Sequence, residues 1–213
     1  MKKIKNSKTL QGLKYSGTII SHPIQGVYEM RFEGQGDMTA CIILMILFVF
    51  STICKQVYAG FIFNEINERS FNIIREVANV LFPFFLWCIA NWSVTALMDG
   101  EGRFRDIYMS LCYATVPCIV TNFLYIPVSY WFTIEESGFL EIISGVGAVF
   151  FVIYAFIGNL TVHQFTLSKA LFTVLLTLFG MVFIMFLMVL FASMFDSLYS
   201  YIRGIITEIQ LRV

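Results

Sequence analysis

The sequence predicts an all-α membrane protein, a bundle of about five transmembrane helices with amphipathic interfacial helices before the first span and after the last. Two observations carry this expectation. Of the 213 residues, 58% are hydrophobic and only 13% are charged, whereas a soluble domain carries about a quarter charged residues. The apolar residues are also gathered into five runs separated by polar connectors, each close to the roughly 20 residues that cross a hydrocarbon core. With a mean hydropathy of +0.78, the chain cannot cover a water-facing surface, so lipid must be its solvent.

Residues 1–37 read as a basic arm and an interfacial helix. Lys2, Lys3, Lys5, Lys8 and Lys14 precede the first acid, Glu29; such an arm lies against anionic headgroups and holds its end of the chain in the cytoplasm. Ser21 is a suitable N-cap and Pro23 suits a first helical turn, where its missing N–H costs nothing. Val27, Tyr28 and Phe32 then offer an apolar side to the membrane surface, and Gly34 and Gly36 end the helix.

A five-span membrane domain follows over residues 38–195, with spans near 38–57, 77–98, 107–132, 139–160 and 171–193. A polar connector containing Asn64, Glu65, Asn67, Glu68 and Arg69 joins the first two. The loop from Asp99 to Asp106 is short enough to force an antiparallel helical hairpin. Pro117 predicts a kink in the third span, because proline removes a backbone donor and clashes with the preceding turn. Tyr125, Tyr130 and Trp131 suit an interfacial aromatic belt. After Asp196, residues 196–213 turn amphipathic: Leu198, Ile202, Ile205, Ile206 and Ile209 recur at helical spacing beside Arg203, Glu208 and Arg212, the pattern of a helix lying in the interface. The distribution of Lys and Arg over the loops places the N-terminus in the cytoplasm and the C-terminus outside.

No motif specifies an enzyme. Gly34-Gln35-Gly36-Asp37 matches the GxGD pattern of intramembrane aspartyl proteases, but no second aspartate lies within a span to share the proton that such chemistry needs; a turn entering the first span explains it as well. The loop residues Asp99, Gly100, Glu101, Gly102, Arg103 and Arg105 lack the Lys-Ser/Thr of a phosphate-binding loop; they form a tight turn whose mixed charges suit a partner interface. His22 and His163 have no metal-ligating neighbours at the required spacing, and the five cysteines form no C-x-x-C pair and read as small packing residues. No cofactor is expected. The polar residues within the spans are neutral: Asn79, and the candidate intramembrane positions Asn91, Asn122 and Asn159. A coupled transporter places an acid or base there, and neutral amides more simply tie helices together. A formal net charge of zero argues against nucleic acid as a partner.

Several segments, in order, resemble the Yip family (the Ypt/Rab-interacting-protein membrane domain), and its bacterial branch in particular. They are His22-Pro23 through Phe32-Glu33, Ala90-Asn91-Trp92 leading into Met98-Asp99-Gly100-Glu101-Gly102, Tyr113 with Pro117, Glu135-Glu136, and Tyr201-Ile202-Arg203 with Glu208 and Arg212. The resemblance implies five spans with a cytoplasmic N-terminus, in a bacterial plasma membrane. It carries no catalytic residues. Eukaryotic members are associated with Rab GTPases, but this chain lacks their Asp-Leu-Tyr-Gly-Pro type motif. The expectation is therefore a non-enzymatic, membrane-organising or partner-binding subunit. Its partners would be the lipid bilayer and other membrane proteins, either a transporter complex or further copies of itself. The alternative is a small-solute transporter or an accessory permease component, with Asn122 near the kink lining a polar path.

Overall fold

The computed structural model describes residues 2–63 and 71–212, with the backbone alone at residues 2–10, 209, 211 and 212. The connector residues Asn64 to Arg69 and the side chains of Lys2, Lys3, Lys5 and Lys8 lie outside the described residues. Among the described residues, eight α-helices follow one another: α1 (Lys2–Ser21), α2 (Pro23–Phe32), α3 (Met38–Tyr58), α4 (Ile73–Leu97), α5 (Phe104–Ala114), α6 (Val116–Ser129), α7 (Ser137–His163) and α8 (Leu167–Arg212). Among the described residues there is no strand. Five segments are long and apolar enough to cross a membrane: α3, α4, α5 with α6, α7 with the 3-10 turn before it, and α8. The predicted five-span bundle is thus present.

The helix ends follow from local chemistry. Asp37 caps α3, its carboxylate accepting the Thr39 N–H at 3.3 Å, so the aspartate of the GxGD pattern is engaged at a helix start. Asn72 caps α4 through the N–H groups of Ile74 and Arg75. The kink expected at Pro117 is a full break: α5 ends at Ala114, and Pro117 occupies the first turn of α6, where proline is tolerated. On the loop side, α4 and α7 stop alike. Asp99 and Gln164 both have left-handed φ values, 55° and 52°, and the next residues, Gly100 and Phe165, donate back to Thr95 and Leu160 carbonyls at 2.8 and 3.0 Å. This closure satisfies carbonyls that a helix end leaves open.

Two expectations need correction. Ser21 does not cap α2; it closes α1, its hydroxyl donating to the Gly17 carbonyl, and His22 holds the cap position before Pro23. Nor is the tail after Asp196 a separate helix. It continues α8 without interruption to Arg212, because no proline intervenes, and the change from apolar to amphipathic pattern alters the solvent a helix prefers, not its backbone.

The core sits toward the end of the bundle that carries the Asp99–Asp106 loop, here the loop face. There the α1–α2 hairpin closes over α3, α5 and α7, burying Ile19, Val27 and Met30 against Cys41, Tyr113 and Val162. Val27 therefore faces protein, whereas Tyr28 and Phe32 remain exposed as expected. Tyr154 and Tyr113 hold α1 from beneath, donating to the carbonyls of Ile20 at 2.9 Å and Gly12 at 3.4 Å. Tyr15 lies within hydrogen-bonding distance of the Gly26 carbonyl and the Glu29 carboxylate; burial, reinforced by that carboxylate, pushes its phenol above the usual range and keeps it a donor.

Candidate functional site

The loop residues singled out in the sequence form a clasp at the loop face. Gly100 and Gly102 have ordinary backbone angles, so their role is space. A Cβ on Gly100 would lie 2.7 Å from His163 Nδ1, and one on Gly102 would lie 2.5 Å from His163 Cε1. The Gly102 N–H donates to His163 Nδ1 at 3.2 Å, which places the imidazole proton on Nε2. The buried ring stacks on Phe165, whose own ring carries the Lys169 ammonium at 4.5 Å.

Arg31 of α2 completes the clasp. Its guanidinium donates to the carbonyls of Val162 and Glu101 and pairs with Glu101 and Asp106 at 3.6 and 3.9 Å. Three elements far apart in sequence are thereby joined through one side chain. Asp99, Glu101, Arg103 and Arg105 remain exposed above it. The loop thus presents charge outward from a rigid back.

The intramembrane amides separate into two places. Asn91 of α4 donates to Asn159 Oδ1 on α7 at 3.0 Å and to the Thr177 hydroxyl on α8 at 3.2 Å, linking three helices through one buried amide. Beside them, Asn91, Ser110, Gly158, Asn159 and His163 line a void of about 10 Å³, room for one water. Asn159 Nδ2 and His163 Nε2 are buried there without a partner among the described residues. Asn122 is elsewhere. Its amide reaches the hydroxyls of Ser51 and Thr52 on α3 at 3.3 and 3.4 Å, so it ties α6 to α3. Asn79 is exposed.

At the opposite end of the bundle lies a cavity of about 770 Å³, within the range of ligand sites. Lys55 of α3 reaches into it. This side chain was expected to mark the end of the first span; instead its ammonium turns inward, donating to the Ser144 hydroxyl of α7 at 2.7 Å and lying 4.5 Å from the centre of the Tyr125 ring of α6. Around it the cavity is lined by Arg75 and Glu76 from the start of α4 and by Glu141 from α7, with Phe63, Phe71 and Ile134 as apolar walls. Gln56 fixes the Glu76 carboxylate through a 3.0 Å hydrogen bond. The expectation of spans without charge is therefore incomplete. Lys55 escaped notice because a cation at the end of an apolar run ordinarily snorkels to water, and only the small Ser144 across the gap gives it an inward partner. Arg31 was missed for a similar reason: in sequence it is one cation of an amphipathic segment.

The glycines of α7 are used selectively. Gly147 packs against Thr121 of α6, where a Cβ would meet the hydroxyl at 2.1 Å, and Gly158 packs against Ser110 of α5; Gly145 faces open space. Among the described residues, no group of acids, histidines and cysteines is placed to hold a metal ion.

Comparison with curated proteins and with solved structures returns no match. The family model of the Yip1 domain matches residues 17–191, from the end of α1 through most of α8, taking in the clasp, the polar tie and the cavity. The five spans and this match agree with the resemblance drawn from the sequence, and the chain belongs to the Yip family of integral membrane proteins.

Proposed function

We propose that the protein is a non-enzymatic subunit that organises a membrane assembly by binding a partner membrane protein along the free half of α8. The observation that carries this reading is how little of α8 the bundle uses. In its most apolar stretch only 6% of residues are buried, against 33%, 39% and 44% in the first three spans. Its buried side chains, Ala170, Thr173 and Thr177, and its close approach at Gly180 to Ala90 and Val94 lie near its beginning. From Met188 to Glu208 every side chain is exposed.

Length favours a partner over lipid alone. At about 1.5 Å per residue the 46 residues of α8 extend roughly 69 Å, whereas the hydrocarbon core is about 30 Å thick. Tilt absorbs part of this difference. It does not absorb the last turns, where Leu198, Tyr201, Ile202, Ile205 and Ile206 remain exposed on the same continuous helix. A neighbouring helix that follows α8 out of the bilayer would cover them. Asp37, engaged as a helix cap, supports the non-enzymatic reading.

Photo-crosslinking groups placed at Phe191, Leu198 and Ile205 in native membranes test this. The same single membrane protein should be captured at all three positions, and capture at Phe191 should be lost when the chain is cut after Ser197. Adducts to lipid only, to another copy of this chain, or to a different protein at each position would overturn the reading.

A further inference from the structure

The cavity at the end opposite the clasp has a charge pattern that points to a ligand. Lys55 is half-buried within a spanning segment, and among the described residues its ammonium meets a neutral hydroxyl and an aromatic face. Both ion pairs among the described residues belong to Arg31 at the other face; no described carboxylate lies within pairing distance of Lys55. A cation withdrawn from water in this way is costly unless an anion completes it, and an ionisable group inside a span marks a functional site.

The other charges narrow the class of anion. Glu141 stands one helical turn from Ser144, on the side nearer the end of α7, and Glu76 is held by Gln56 at the start of α4. A simple anion would answer the cavity's cations, Lys55 and Arg75, and leave its carboxylates, Glu141 and Glu76, with nothing to meet them. A zwitterion with its phosphate deep and its ammonium toward the rim would match both. The apolar walls suit the chains attached to such a group.

We propose that this cavity is a binding site for the headgroup of a zwitterionic aminophospholipid, its phosphate held by Lys55 and its ammonium by Glu141. The site is separate from the α8 surface and stands or falls independently of the partner reading.

Native mass spectrometry of the full chain in detergent, with phosphatidylethanolamine or phosphatidylglycerol added and inorganic phosphate as competitor, tests the assignment. Wild type should retain phosphatidylethanolamine in preference to phosphatidylglycerol, and millimolar phosphate should not displace it. Lys55→Met should weaken retention about tenfold or more, as expected for loss of a buried charge contact, while Lys55→Arg keeps most of it. Glu141 is exposed, so Glu141→Gln leaves the fold intact and should abolish the preference between the two lipids. Equal retention by wild type and Lys55→Met would overturn the site. Equal retention of both lipids by wild type would overturn the zwitterion. Displacement by phosphate would assign the cavity to free phosphate esters instead of lipid.

Discussion

Gly102 and Gly145 are the same residue type in two different situations. At Gly102 an added methyl would meet the ring of His163 and the side chain of Val162, at 2.5 and 2.7 Å. Both neighbours are fully buried and have nowhere to retreat. Gly102→Ala should therefore lower stability by about 1–3 kcal/mol, as overpacking does. At Gly145, inside α7 with no neighbour within reach, alanine should raise stability by roughly 0.5–1 kcal/mol through its better helix propensity. Thermal unfolding in detergent reads both, and equal effects at the two positions would refute the packing account. The sequence shows two glycines in polar or small-residue company and does not tell them apart. What distinguishes them is the imidazole of His163, 61 residues away, and nothing local encodes that meeting.

The elements were more legible than their joints. The apolar runs located all five spans because burial in lipid demands unbroken hydrophobic length. Pro117 signalled the break between α5 and α6 for a steric reason that needs no tertiary knowledge. Pro83 gave no such break. It stands inside α4, which runs unbroken from Ile73 to Leu97, and its ring faces outward. An interior proline forfeits one backbone hydrogen bond, so Pro83→Ala should raise stability by about 1–3 kcal/mol, seen as a higher melting temperature in detergent; a fall would mean that the proline relieves strain within α4. The continuity of α8 was illegible for the opposite reason. A change of pattern at Asp196 reads as a boundary, but a helix stops only where its backbone is capped or blocked, and neither happens there.

For the whole molecule, stability is concentrated at the loop face. Arg31 ties α2 by hydrogen bonds and ion pairs to the end of α7 and to the loop before α5. Arg31→Met should cost about 2–4 kcal/mol, since it leaves two carbonyls and a carboxylate pair without their charged donor. Hydrogen exchange should then rise together in α2, in residues 99–106 and around His163, while α3 and α4 near the cavity keep their protection. A rise confined to α2 would show that the clasp is not one unit. By the same logic, a cut after Ser197 should leave bundle stability unchanged within about 0.5 kcal/mol, because the side chains from Leu198 to Glu208 are all exposed. Neither asymmetry could be read from the chain. The clasp depends on which of fourteen basic residues meets which carbonyl, and the charge count used for orientation treats all of them alike.

The amide of Asn91 also acts as a fulcrum. It fastens α4 to α7 and α8 toward one end, and Arg75, at the rim of the cavity, stands 16 positions away along the same helix. At about 1.5 Å per residue that is an arm of roughly 24 Å, so a tilt of about 5° about the fastened end would move the rim by about 2 Å. Side pressure from the bilayer on α4 and occupancy of the cleft would therefore be two loads on one lever, restrained at its far end by the hydrogen bond between Gln56 and Glu76.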